Sequence, residues 1–154
     1  MDTIVIGLGN PVLADDRVGL EIAHCLEERL RGRSDVGVTQ IFCGGMNLME
    51  AMAGHERAII VDAMTGGGGS PGTVYALGPG ALLHSRNTCS SHDASLSVAL
   101  ELGALAGLRL PRDVRIWAVE ADDVSTFSEN LTPHVRHAVP LVVEDVVRHL
   151  ESTE

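Results

Sequence analysis

Two aspartates and one histidine are the side chains whose positions in the sequence best suit chemistry. Asp16 follows the first predicted strand, Asp62 closes the third, and His92 opens the helix after the fourth. In open α/β sheets, ligands bind outside the carboxyl ends of the strands, so we expect all three side chains at one edge of the sheet. Two carboxylates and an imidazole form a donor set suited to Zn, Ni, Mn or Fe(II), with positions left open for substrate or water. The sequence therefore predicts a metal-dependent site formed by these three residues.

Each of these residues also has a structural interpretation. Asp15 and Asp16 stand at the start of a predicted helix, where carboxylates accept free N–H groups and complement the helix dipole; we assign that capping role to Asp15. Asp62 taken alone fits a solvated strand end as well as it fits a functional residue. His92 lies in the first turn of a helix, where the dipole disfavours an imidazolium, so we expect a neutral imidazole that can act as a ligand. The combination supports the functional prediction more than any single member does.

Two other groups of residues in the sequence could also form a functional site. Gly7-Leu8-Gly9 resembles the start of a dinucleotide fingerprint, but the third glycine would fall on Val12, and Asp15-Asp16 would repel a pyrophosphate. Cys89 and His92 are close enough in sequence to act as nucleophile and base, but no third group is evident. The sequence contains no P-loop, HExxH or GxSxG motif.

Short β-rich runs alternate with helical stretches along the chain. Strands are predicted over 3–7, 36–42, 58–62, 73–77 and 114–119. Helices are predicted over 18–30, 46–52, from an N-cap at Ser90 to about 106, and from Pro133, with Thr132 as N-cap, to about 150. This alternation predicts a three-layer α/β/α sandwich. Between the third and fourth strands, the four consecutive glycines 66–69 are expected to be mobile, because holding them in one conformation costs much backbone entropy.

Composition narrows the class of protein. The 154 residues suit a single domain spanning 1–154, with 45% hydrophobic, 21% charged and 3% aromatic residues. The formal net charge of −10 argues against nucleic acid or an anionic membrane as a partner. The amino terminus is not typical of a signal peptide, no apolar run is long enough to cross a membrane, and three cysteines without CxxC spacing suit a reducing compartment. We therefore expect a cytoplasmic protein.

Six short segments follow one another along the chain: Ile4-Val5-Ile6-Gly7-Leu8-Gly9-Asn10, Asp15-Asp16 with Gly19, Ile60-Val61-Asp62-Ala63, Pro71-Gly72-Thr73, Ser91-His92 with Leu96, and Leu131-Thr132-Pro133. Together these segments resemble the hydrogenase maturation endopeptidases, which process the large subunit of [NiFe] hydrogenases. They occur in the family's order and with similar spacing from about residue 3 to residue 150. Three positions depart from the family's pattern: Asp16 replaces a frequent Glu and is one methylene shorter, Arg17 replaces a common Gly, and Ser95 replaces a Leu.

The resemblance implies a phosphorylase/hydrolase-like fold with a five-stranded twisted sheet. It also implies one cleavage, which removes a C-terminal extension from the large-subunit precursor after nickel insertion. The family's metal-recognising residues fall on Asp16, Asp62 and His92. The nickel belongs to the substrate, so no permanent cofactor is expected, and we expect a monomer acting on that precursor.

The resemblance leaves the chemical roles open. The three side chains would complete the coordination of the substrate's nickel and thereby fix the scissile amide, or Asp16 or Asp62 would act as general base on a water. Two other functions are the alternatives: a metallohydrolase with a permanently bound ion that acts on peptides or small substrates, and a chaperone-like module that recognises the metal-loaded subunit without cutting it.

Overall fold

The structure, a computed structural model, describes residues 2–42, 46–78 and 96–153. Asp16 and Asp62 lie inside these ranges. His92, Cys89, Cys43 and the predicted start of the third helix at Ser90 lie outside the described residues.

Within these ranges the chain forms five strands and four α-helices. The strands are β1 (Thr3–Leu8), β2 (Val36–Ile41), β3 (Arg57–Met64), β4 (Val74–Leu77) and β5 (Asp113–Glu120). The helices are α1 (Val18–Arg29), α2 (Met46–Met52), α3 (Leu96–Leu105) and α4 (Pro133–Ser152), and a 3-10 turn, Asp15–Arg17, precedes α1. The predicted α/β architecture with a five-stranded sheet is confirmed.

The strand order of the sheet creates a crevice at one edge. The order is β2-β1-β3-β5-β4, with β2, β1, β3 and β5 parallel. From β1 the chain passes through α1 to β2 on one side, and then returns through α2 to β3 on the other side of β1. The strand order therefore reverses between β1 and β3, and such a switch point leaves room for a ligand beyond the carboxyl ends of the two strands.

Helices cover both faces of the sheet. Alternate strand residues, including Val5, Ile59, Val61, Ala63 and Val119, pack in one core with residues of α1 and α4. The intervening residues, including Ile6, Leu8, Ile60, Val114 and Ile116, pack in a second core with Leu48 and Met52 of α2 and Leu100 of α3. Within the described ranges, no helix has the length and apolar character needed to cross a bilayer.

Two details of the strands correct the sequence prediction. β3 continues through Ala63 to Met64, so Asp62 lies inside the strand and not at its tip. β4 runs antiparallel to β5, with Val74 paired to Val119 and Leu77 to Ile116. The carboxyl end of β4 therefore points away from the edge where β1, β3 and β5 end. His92 was predicted at that edge because it follows the fourth strand. The assumption that β4 is parallel to the other strands is wrong, since period-two alternation does not encode strand direction.

Candidate active site

Glycines allow the first helix to lie directly against the strands at this edge. A Cβ on Gly19 would collide with the carbonyl oxygens of Leu8 and Val61, and one on Gly7 would collide with the carbonyl oxygen of Gly19. A Cβ on Gly9 would lie 2.6 Å from the carbonyl oxygen of Asp16. The glycine pattern that resembles a nucleotide fingerprint therefore serves close backbone packing between β1, β3 and the start of α1.

This packing brings Asp16 beside the strand that contains Asp62. Cα atoms of the 3-10 turn Asp15–Arg17 come within 8 Å of Cα atoms of β3. The carbonyl of Asp16 accepts a hydrogen bond from the N–H of Asn10 at 3.2 Å, which closes the connection after β1. Asp16 is 3% exposed and Asp62 is 1% exposed. Oδ1 of Asp62 accepts the N–H of Ala63 at 2.7 Å. Asp16 thus lies in a turn that packs against the strand containing Asp62, whereas His92 lies outside the described residues.

Asp15 has a structural role, but a different one from the predicted helix cap. The N-cap of α1 is Arg17, and no side chain caps it. The fully buried Asp15 carboxylate instead accepts hydrogen bonds from residues 121–132, here called the acidic loop, which joins β5 to α4. Oδ2 accepts the N–H groups of Asp122 and Asp123, each at 2.9 Å, and the hydroxyl of Thr132 at 2.7 Å. Oδ1 accepts the N–H of Thr132 at 2.8 Å.

These bonds connect two of the segments on which the family resemblance rests, Asp15-Asp16 and Leu131-Thr132-Pro133. Thr132 is the N-cap residue of α4 and Pro133 follows it, as predicted, but no side-chain capping bond forms there. The Thr132 hydroxyl donates to Asp15 instead. The backbone that contains Asp16 is therefore fixed to the start of α4.

Within the acidic loop, Asp123 stabilises a tight turn. Its Oδ1 accepts the N–H groups of Ser125 and Thr126, each at 3.0 Å. Hydrogen bonds from Thr126 and Ser125 to the ionised carboxylate lower the pKa of Asp123 to about 2. The Asp123 carbonyl also accepts the N–H of Asp15 at 2.8 Å, so the loop and the 3-10 turn bind each other in both directions.

A second buried carboxylate, Glu120, holds the loop after β3. We call residues 65–73 the glycine loop. Both carboxylate oxygens of Glu120, which is 7% exposed, accept the N–H of Gly67 at 3.2 Å. The hydroxyl of Tyr75 accepts the N–H of Gly69 at 2.8 Å. Two amides of the tetraglycine are therefore tethered, and its predicted mobility stays a prediction.

Glu120 is absent from the predicted site residues, although its position in the sequence resembles that of Asp62. Glu120 closes the β-rich run Val114–Val119 in the same way that Asp62 follows Ala58–Val61. By strand alternation, Asp62 and Glu120 both belong to the sheet face covered by α2 and α3. No signal within the local sequence indicated the partners of Asp15, which lie 107 to 117 residues away.

The arrangement supplies carboxylate oxygens at one edge of the sheet. Buried carboxylates are rare in proteins unless they are paired or bind a ligand. Among the residues that the structure describes, no three His, Cys, Asp or Glu side chains cluster so as to hold a metal ion. The fold and the site thus define an open, twisted α/β protein with acidic residues at its topological switch point.

Comparison with known proteins identifies the family within this class. The profile of the hydrogenase maturation proteases matches residues 20–149. The hydrogenase 2 maturation protease of Escherichia coli K12 is 29% identical over 138 residues, which cover 88% of this chain and 78% of that protein. The chain belongs to the hydrogenase maturation protease family, as its motifs predicted.

Solved structures agree with this assignment. The hydrogenase maturating endopeptidase HybD from E. coli superposes with a TM-score of 0.83 at 27% identity, over 99% of this chain and 94% of that one. The [NiFe] hydrogenase maturation protease HybD from Thermococcus kodakarensis superposes with a TM-score of 0.70 at 22% identity, over 96% and 98% of the two chains. The second likeness concerns the fold alone.

Proposed function

We propose that this protease removes the C-terminal extension of a [NiFe]-hydrogenase large-subunit precursor after nickel has been inserted. Family membership supports the peptidase activity, and the names of the related proteins support a hydrogenase as the source of the substrate. The main structural observation in favour of the site is that two buried carboxylates, Asp16 and Asp62, belong to a turn and a strand that pack together at the switch point between β1 and β3.

In this proposal Asp16, Asp62 and His92 recognise the nickel that the substrate brings. Carboxylate and imidazole donors suit a borderline divalent ion such as nickel, and the precursor's own ligands would fill the remaining positions. The metal is part of the substrate, so the protease itself needs no permanent cofactor. Binding the metal would fix the precursor chain, and fixing a reactive group in place is itself a large source of rate acceleration.

The same carboxylates are candidates for proton transfer. Hydrolysis requires a water to attack the scissile carbonyl carbon, a base to accept the water's proton, and a proton for the leaving amine. An ionised Asp16 or Asp62 could accept that proton and return it to the amine, with the scissile C–N bond breaking in the second step. Burial of both residues favours this role, because charges interact more strongly where water is excluded.

The test measures cleavage of a nickel-loaded precursor by mass spectrometry. We expect loss of one C-terminal peptide only with nickel present. Asp16→Asn and Asp62→Asn keep the side-chain shape but remove the negative charge, and each should slow cleavage by about 100-fold or more. His92→Ala should abolish cleavage as well.

Asp113→Asn is the matched control, since Asp113 begins β5 at the opposite edge of the same sheet and pairs with Arg115 at 3.1 Å. This variant should cleave like the wild type. Failure of the wild type to cut the precursor encoded beside it, under nickel loading, would overturn the proposal. Zinc bound to the purified protein would then favour a hydrolase with its own metal.

We further propose that the protein acts in the cytoplasm and as a monomer. The thiol of Cys25 is free, and three cysteines without paired spacing suit a reducing compartment. Cell fractionation and sedimentation velocity test the two statements separately. Export of the chain, or a dimer at micromolar concentration, would contradict them.

A further inference from the structure

Both phenylalanines of the sequence are exposed, and both lie at the edge that contains the candidate site. The sequence has two phenylalanines, and the exposed fractions are 59% for Phe42 and 82% for Phe127. Phe42 follows β2 at its carboxyl end, and Phe127 lies in the acidic loop after β5. Val12, between β1 and the 3-10 turn, is 51% exposed. Phenylalanine is usually buried, so these exposures need an explanation.

The structure holds Phe127 firmly although its ring faces solvent. Phe127 forms a β-bridge with Leu13, the N–H of Ser128 donates to the carbonyl of Val12 at 3.1 Å, and the N–H of Ala14 donates to the carbonyl of Thr126 at 3.0 Å. These bonds place Phe127 directly opposite the half-buried Leu13 on adjoining segments, so the two side chains lie on the same side of the pair. We call the two side chains the apolar rim. Because this surface is already ordered, binding of a partner would cost little of the loop's conformational entropy.

The charges around Phe127 indicate the character of the partner. Residues 121–130 include Asp122, Asp123 and Glu129 and no Lys or Arg. Asp122 and Glu129 are exposed. An apolar side chain with Asp122 and Glu129 exposed in the same loop favours a polypeptide that presents an apolar side chain next to Lys or Arg, because charge complementarity selects the partner and accelerates encounter.

The rim is also continuous with the site. Leu13 belongs to the connection between β1 and the 3-10 turn that contains Asp16, and the loop of Phe127 is bound to Asp15. We propose that the apolar rim is the docking surface for the hydrogenase precursor, which would place an apolar side chain flanked by basic residues against Phe127 and Leu13. This inference rests on the proposed function, since it takes the precursor as the substrate.

The test compares Phe127→Ala with a control of matched exposure. Leu105, at the end of α3, is 85% exposed and precedes the connection that enters β5 at the opposite edge. With nickel-loaded precursor, Phe127→Ala should raise both the KM and the directly titrated Kd by about tenfold with kcat within about twofold, as expected for loss of an aromatic anchor. Leu105→Ala should change neither constant. Glu129→Lys should raise Kd at low salt, and this increase should shrink as the salt concentration rises.

Each result decides for or against the docking surface. Unchanged KM and Kd in Phe127→Ala, an equal increase in Leu105→Ala, or a fall in kcat alone would overturn it. If the wild type binds the precursor without cutting it, the proposed function fails, whereas weaker binding by Phe127→Ala would still support the docking surface. If the wild type cuts the precursor and Phe127→Ala cuts it equally well with unchanged KM, the proposed function stands and the docking surface fails.

Discussion

The acidic loop and the glycine loop leave the same edge of the sheet and are fixed by the same device, a buried carboxylate that accepts backbone N–H groups. They differ in how many bonds the carboxylate makes. Asp15 accepts four hydrogen bonds from the acidic loop, at 2.7 to 2.9 Å. Glu120 accepts one N–H of the glycine loop, shared between its two oxygens at 3.2 Å.

From this difference we expect the acidic loop to present side chains in a fixed place and the glycine loop to be the one that changes shape more easily. Short bonds to a charged acceptor are the strong ones, and a shared bond of 3.2 Å is weak. The acidic loop holds Phe127 and contacts Asp15, whereas the glycine loop has no side chain between Gly66 and Gly69. The glycine loop also lies against the start of α4, since a Cβ on Gly72 would lie 2.5 Å from the carbonyl oxygen of His134.

The largest expected effect comes from removing the Asp15 carboxylate. Asp15→Ala leaves four donors without their acceptor in a buried place, which should lower the free energy of unfolding by about 3 kcal/mol or more. Asp15→Asn keeps one carbonyl oxygen, so its cost should be smaller, and it provides a variant to study if Asp15→Ala does not fold. Urea denaturation measures both.

Thr132→Val is the graded control for this prediction, because it removes only the hydroxyl donor to Asp15 and should cost about 1 kcal/mol. In Asp15→Asn, the amides of Asp122 and Asp123 should exchange with solvent faster than in the wild type. If Asp15→Ala lowers the free energy of unfolding by less than about 1 kcal/mol, the acidic loop is fixed no more firmly than the glycine loop.

A smaller effect is expected from the carboxylate of the glycine loop. Glu120→Gln keeps the shape but removes the charge, and it should cost about 1 kcal/mol while hydrogen exchange at Gly67 accelerates. Tyr75→Phe removes the acceptor for the N–H of Gly69 at a more exposed position and should cost about 0.5 kcal/mol.

The N–H of Gly72 donates to the backbone carbonyl of Glu120 at 2.8 Å, so its exchange serves as an internal reference. It should stay nearly unchanged in Glu120→Gln. If Glu120→Gln destabilises the protein as much as Asp15→Ala, the glycine loop is as firmly fixed as the acidic loop, and the comparison is wrong.

The sequence predicted the layers and part of the site for a physical reason. Strand and helix periodicity is local, and the carboxyl edge of parallel strands follows from connectivity, so the placement of Asp16 and Asp62 could be inferred. The direction of β4 could not, because a four-residue edge strand has the same alternation in either direction. The role of His92 as a ligand stays a prediction.

The misassigned role of Asp15 shows where local reasoning fails. A carboxylate before a helix fits the pattern for a helix cap, but the Asp15 carboxylate accepts hydrogen bonds from donors that are remote in sequence instead. Thr132 repeats the case at α4, where its hydroxyl binds Asp15 and not its own helix. Both side chains contribute to tertiary contacts that become visible only once β5 and the 3-10 turn are placed together.

The smallest expected effect is the acid response of the turn that Asp123 holds in the acidic loop. Its pKa of about 2 lies below the ordinary 3.8, because hydrogen bonds from the Thr126 side chain and from the amides of Thr126 and Ser125 favour the ionised form. A lowered folded-state pKa adds stability above the unfolded value, and this contribution is lost as the pH falls from about 4 towards 2. The carboxyl carbon shift of Asp123, followed by NMR, should therefore still report about nine-tenths ionised carboxylate at pH 3. Asp123→Asn is the control, because the side chain of this variant carries no proton-titrating carboxyl. The chemical shifts of the Ser125 and Thr126 amides should therefore no longer change over this pH range. A midpoint near 3.8 for the Asp123 titration in the wild type would show that the hydrogen bonds to its carboxylate are too weak to fix the turn. Phe127 would then lack one of its supports.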